Sequence, residues 1–243
     1  MLDPAVLIGS PLIFNNIKIY PPLVKDVVTN PNFNVFYKVL TLTQEDVNDE
    51  VRDKLGEGEV MPTPFEYLFL SCQYIQGFAT IVREAFDFFC RTEIVFLFEE
   101  RKILFDVGSD YKAFLTEENF FDFQNVVRAV CGDKPIKPPE PIDPDEDPRV
   151  TEIKRRARER DKIKARQGSK NGISLNTCLT AICCMGLGIT PLNIGEVSYA
   201  SVGEIMKVMQ NKEKYDIDIR SLLAGADSKK IKPKYWIRNT DKE

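Results

Sequence analysis

Residues 133–148 read DKPIKPPEPIDPDEDP, with six prolines in sixteen positions. Proline has no backbone N–H and a fixed φ, so this stretch enters neither a helix interior nor a central strand. It runs extended and stiff. Its acidic side chains fit no docking motif for a polyproline-binding groove, so a spacer is the preferred reading and a groove ligand the alternative. The expected organisation follows: an α+β domain at 1–132, a proline-rich acidic linker at 133–148, a basic charged helix and its break at 149–172, and a helical module at 173–243.

Before the linker, Leu12–Phe14 and Ile17–Tyr20 flank Asn15-Asn16, a pair that tolerates positive φ, which predicts a short hairpin ended by Pro21-Pro22. Phe33, Phe36, Tyr37 and Leu40 share a helical stripe. Thr43 starts another helix with Asp46 placed as a capping partner, ending near Leu55-Gly56. Thr63-Pro64 opens the longest helical pattern, running to about Thr92 and rich in phenylalanine. Proline at the first helical position loses no hydrogen bond. The preferred reading is a central core helix rather than a cofactor pocket. Gly77 in its middle marks either the close approach of another element or a break into two helices. Ile94–Phe98 and Ile103–Phe105 form a second hairpin about the polar turn Glu99–Lys102, expected to pair with the first into one small antiparallel sheet. Thr116 starts a last helix that stops at Cys131-Gly132. The fold class expected is α+β, predominantly helical, with helices packed on a small antiparallel sheet.

After the linker, Arg149–Arg166 is a helix polar nearly all round, which implies a solvated connector or one held by an outside surface. Ser174 caps a helix carrying Leu175, Cys178, Leu179, Ile182 and Cys183 on one face, stopped by Gly186 and Gly188. Ser198 caps a helix striped by Val202, Ile205, Met206 and Met209. A second short helix then carries Tyr215, Ile217, Ile219, Leu222 and Leu223 and closes at Ala224-Gly225. A basic run leads to Tyr235-Trp236, the one tryptophan. Residues 198–236 thus read as two short helices with an aromatic plug, a self-contained unit.

The chain has no histidine. This removes Ser–His and Cys–His nucleophile pairs, the commonest general base near neutral pH and the commonest zinc ligand. The six cysteines include no C-x-x-C spacing and read as reduced, buried, core-filling thiols. Gly186-Leu187-Gly188 lacks the strand and third glycine of a phosphate loop. Asp143, Asp145 and Asp147 alternate like a calcium loop but lack its glycine and terminal glutamate. Glu99-Glu100 and Glu117-Glu118 are adjacent pairs pointing to different sides. The expectation is a non-enzymatic protein with no cofactor and no metal site. Met1-Leu2-Asp3-Pro4 has an acid where a signal peptide carries bases, and no apolar run is long enough to span a membrane, so a cytoplasmic protein is expected.

Charge is uneven. Residues 1–148 hold 13 basic and 26 acidic groups, a net of −13; residues 149–166 hold nine and three, a net of +6. An acidic front and basic back imply contact between the halves or partners of opposite charge. The basic residues surround the helix and no aromatic residues interleave for base stacking, so nucleic acid ranks below a protein partner.

Two stretches resemble a family of small proteins encoded among the tail genes of tailed phages and prophages, near the tape-measure gene, many called tail assembly chaperones. One is Ile17-Lys18-Ile19-Tyr20-Pro21 followed by Val24-Lys25-Asp26. The other is the order Ile173-Ser174-Leu175 helix, Tyr215-Asp216-Ile217, Leu223-Ala224-Gly225-Ala226, basic spacer, Tyr235-Trp236. The resemblance is loose over Ile13–Tyr37 and closer over Ile136–Trp236. The six-proline linker and strongly basic helix depart from the family pattern. The resemblance implies a chaperone in the cytoplasm of the infected bacterium, binding the tape-measure protein and tail-tube subunits, with self-association a further option. The interaction residues to test are Arg155, Arg156 and Arg158 on the basic helix, Met206 and Met209, for which core packing is the preferred reading and an adaptable helix groove the alternative, and Tyr215 and Trp236. A structural virion protein or tail adaptor is the alternative, and a nucleic-acid-binding regulator ranks below it.

Overall fold

The structure, a computed structural model, describes residues 2–51, 61–106, 112–136, 173–186, 188–227 and 229–236, together with residues 149, 150, 153, 156, 157 and 160. The end of the Thr43 helix, most of the proline-rich stretch and most of the basic helix lie outside the described residues. The fold is α+β and mainly helical.

A short helix α1 (Pro4–Leu7) precedes the first hairpin, β1 (Leu12–Phe14) and β2 (Ile17–Ile19). The turn sits on Asn15 and Asn16 at φ 45° and 67°, the left-handed pair that matches strand twist. Leu12 faces Ile19 and Phe14 faces Ile17. Helices α2 (Val24–Thr29), α3 (Phe33–Leu40) and α4 (Gln44–Val51) follow. As its sequence predicts, α4 begins beside Thr43, whose backbone N–H donates to Asp46 at 3.0 Å. Helix α5 (Pro64–Tyr74) carries the full reciprocal cap: Glu66 N–H donates to Thr63 Oγ1, and Thr63 N–H to the Glu66 carboxylate, both at 3.2 Å.

Gly77 resolves as a break. It sits at φ +83° and caps α6 (Phe78–Cys90), and a Cβ there would meet nothing within 4 Å, so conformation and not crowding requires glycine. Helix α6 is the centre of the main core. Val82, Ala85, Phe86 and Phe89 have no exposed surface. The Phe86 ring lies 5.3 Å from Phe105 and 5.6 Å from Phe123 in tilted and edge-on arrangements, the geometry aromatic pairs prefer.

Strands β3 (Ile94–Leu97), β4 (Lys102–Asp106) and β5 (Lys112–Leu115) form an antiparallel meander. This corrects the expectation that the two hairpins pair: β1-β2 and β3-β4-β5 are separate sheets. The reason is backbone pairing. The chain just after β2 bonds to a helix end instead, Tyr20 N–H donating to the Phe89 carbonyl at 2.7 Å. Helix α7 (Glu117–Val130) closes the main core with Phe120, Phe123, Val127 and Val130. Its buried Gln124 amide donates to the Leu42 carbonyl at 2.7 Å, so a polar group inside the core has its partner.

The C-terminal part holds α8 (Leu175–Cys184), a 3₁₀ turn at Ile194–Glu196, and α9 (Tyr199–Leu223). Ser174 caps α8 by accepting from Thr177 N–H at 3.2 Å, and Ser198 caps α9 by accepting from Ser201 N–H at 3.3 Å. Helix α9 corrects the reading of two short helices: it is continuous for 25 residues. The polar stretch Gln210–Lys214 contains no glycine or proline, and Lys212 pairs with Asp216 at 2.8 Å one turn on, so nothing stops the helix there. Nor is the unit closed on itself. Ala200 belongs to the main core, and Val202 joins Val24 and Ile182 in a second, smaller one. Backbone bonds join the same surfaces: Val24 N–H donates to Val197 O at 2.9 Å, and Tyr199 N–H to Pro22 O at 2.8 Å.

Candidate interaction site

Where α9 meets the N-terminal core, four elements enclose a cleft of about 440 Å³. Helix α3 contributes Phe33, Asn34 and Tyr37. The end of α7 contributes Cys131, Gly132 and Asp133. The start of α8 adds Ile173, Leu175 and Cys178, and the first turns of α9 add Tyr199, Ala200, Val202 and Gly203. The capped starts of α8 and α9 and the end of α7 bring these residues together from three distant parts of the sequence.

Gly132 is the hinge pin of this arrangement. It ends α7 at φ +83°, and a Cβ there would lie 3.1 Å from Ala200 Cα and 3.2 Å from Ala200 Cβ. Here both the left-handed backbone and the close approach of α9 require glycine. The same turn points Asp133 back at α3, where the Tyr37 hydroxyl donates to its carboxylate. Phe33 and Tyr37 lie nearly parallel at 6.3 Å, and Phe33 meets the Tyr199 ring edge-on at 5.6 Å, so three aromatic rings form one wall.

Burial, with Asp133 adding to it, raises the Tyr37 phenol above the ordinary tyrosine range, opposed by Arg128. Burial also raises Tyr199, helped by Cys131, Asp133 and Cys178. Burial first and Asp133 second push the Cys131 thiol up, with Arg128 opposing. A cysteine reacts as its thiolate, so Cys131 is held in its unreactive form. Cys72 and Cys90 are likewise pushed up to about 12 by burial. The expectation of buried thiols holds for these three; Cys178 and Cys183 are half-buried and Cys184 is exposed. Among the described residues no cluster of three cysteine or acidic side chains could hold a metal ion, and no helix is long and apolar enough to cross a membrane.

Beyond the cleft, the burial of α9 falls away. Its buried residues are Ala200, Ser201 and Val202, all in the first turn or so; none is buried from residue 203 onward. Met206 and Met209 are half-buried against the second core, beside Ile205. Tyr215 is half-buried because the tail returns along the helix: its ring meets Tyr235 edge-on at 5.7 Å, and Trp236 lies 6.0 Å from Tyr235. Ile217 and Leu223 stay exposed. Arg156 is helical and exposed, while Arg155 and Arg158 lie outside the described residues. Of the five sequence-predicted residues that are described, Arg156, Met206, Met209, Tyr215 and Trp236, none lines the cleft. The cleft residues carried no motif: Tyr37 and Asp133 are 96 positions apart, and Gly132 reads in sequence only as a helix stop.

Residues 164–241 match the family model described as the YomV second domain, a phage- and prophage-associated family. The match spans α8, the 3₁₀ turn, α9 and the returning tail. No curated protein and no solved structure matches the chain.

Proposed function

We propose that this chain is a non-enzymatic assembly protein of a tailed phage or prophage, a tail assembly chaperone that binds the tape-measure protein and tail-tube subunits in the host cytoplasm. The observation that supports it most is α9. Its root is fixed in the core and Ile205, Met206 and Met209 pack half-buried on the second one, yet no residue from 203 onward is fully buried. A long helix left open in this way is a surface for another helix, as in helix-in-groove recognition. Ile217 and Leu223 on its far half, with Tyr215 and Trp236 each beside the Tyr235 ring, are the contact residues of this reading. Met206 and Met209 contribute their uncovered edges, and Arg155, Arg156 and Arg158 meet an acidic partner.

Similarity of residues 164–241 to a phage-associated domain supports the phage setting. The test is co-expression with the tape-measure and tube proteins of the neighbouring genes, followed by affinity capture. Recovery of a defined complex with either is expected. Capture of neither, or presence of the protein in purified particles at a fixed copy number, sinks the chaperone assignment.

A further inference from the structure

The described lining of the cleft carries a negative group, although the Arg128 charge acts on Tyr37 and Cys131. Among the described residues lining the cleft, Asp133 brings a carboxylate and none is lysine or arginine. Arg128, close in sequence, directs its Nε to the Lys134 carbonyl at 2.9 Å and does not line the cleft. Beside Asp133 stands the wall of Phe33, Tyr37 and Tyr199. Aromatic faces carry partial negative charge and attract cations within about 6 Å. Leu175 and Val202 offer an apolar surface, which suits the alkyl stem of a long basic side chain while its head stays at the wet rim, where Asp133 and Asn34 are exposed. At about 440 Å³ the cleft, partly open to solvent, has room for such a side chain.

We propose that this cleft receives a lysine or arginine side chain from a segment of the partner protein, with Asp133 and the aromatic wall as the cation-recognising groups. The proposal rests on the protein-binding reading above and specifies the chemistry of what is bound. Asp133 has acceptor capacity left after Tyr37, since a carboxylate offers about four lone-pair positions. The cleft joins α3, the end of α7, α8 and the root of α9, so an inserted side chain lies beside several of the elements packed around that root.

Cys178, half-buried in the cleft lining, allows the chemistry to be tested without the partner. In a C183S/C184S background the protein is equilibrated with cystamine, bis(2-hydroxyethyl) disulfide or dithiodiglycolate at fixed 2-mercaptoethanol, and the adduct at Cys178 is measured by peptide mass spectrometry. Cystamine is expected to be retained about fivefold more than the neutral disulfide, and the anionic one least, with the preference shrinking in high salt. D133N should abolish the order. N34D, which adds a second carboxylate to the lining, should strengthen it, and it serves as the independent variant should D133N fold poorly. Equal retention of the three, or an order unchanged in both variants, overturns the proposal. A second arm captures the partner with wild type and D133N. Loss with D133N supports it; unchanged capture overturns it while leaving the broader assembly role intact. Capture of neither tape-measure nor tube protein by wild type, with the cystamine preference present, removes the assembly role instead.

Discussion

Gly132 offers the sharpest test of how α9 is fixed. In G132A the new residue must hold φ near +83°, which costs an L-residue roughly 1–2 kcal/mol. Its Cβ must also sit 3.1 Å from Ala200 Cα, a backbone atom that cannot rotate away. Forcing an extra methyl into packed space costs about 1–3 kcal/mol. The sum is about 2–5 kcal/mol, reduced slightly by the stiffer unfolded chain. G77A is the matched control: the same φ of +83°, with nothing within 4 Å of the added Cβ. The difference between the two variants isolates the close approach at about 1–3 kcal/mol. Urea unfolding with comparison of midpoints at constant slope measures it. Hydrogen exchange adds a local reading, because Tyr199 N–H, bonded to Pro22 O at 2.8 Å, should exchange faster in G132A than in G77A. A200G in the G132A background should restore only part of the loss, since it removes the 3.2 Å contact and keeps the 3.1 Å one. If G132A and G77A agree within about 0.5 kcal/mol, the claim that α9 is clamped against α7 at this point is wrong.

Three further outcomes are expected. F86A removes a ring with no exposed surface that touches Phe105 and Phe123, and should cost about 3–5 kcal/mol in chemical denaturation. Raising the pH should destabilise the fold from about 9 upward: native Cys90 keeps its proton up to about 12, whereas the unfolded thiol loses it near 9, so the unfolded state binds fewer protons and stability falls by up to about 1.4 kcal/mol per pH unit for this group. A C90A variant should show a shallower alkaline decline in thermal melts. K214P, at an exposed position in the middle of α9, should lower far-ultraviolet helix signal while the main core melts at an unchanged temperature; an unchanged spectrum would contradict a continuous helix.

Much of the fold was legible because its signals are local. Asn15-Asn16 announced the hairpin, and Thr43 with Asp46, Thr63 with Pro64, Ser174 and Ser198 announced helix starts that the structure bears out with hydrogen bonds. One reading failed and one element was missed where a local rule was weak. The apolar stripe of α9 shifts phase across Gln210–Lys214, which reads as a boundary, but a helix ends for want of hydrogen bonds and not for want of apolar residues. Strand β5 turns only Ala113 and Leu115 inward, too short an alternation to register as a strand. The cleft was illegible for a different reason. Its carboxylate, its rings and its thiols come from residues 33 to 203, and only tertiary contact sets them side by side.

The span of α9 carries one more consequence. At 1.5 Å per residue its 25 residues reach about 37 Å, and a tilt of ten degrees about its root would sweep the far end through roughly 6 Å. The root and the tip of this one helix therefore lie several nanometres apart, which leaves room for two neighbours to be held at once at separate ends.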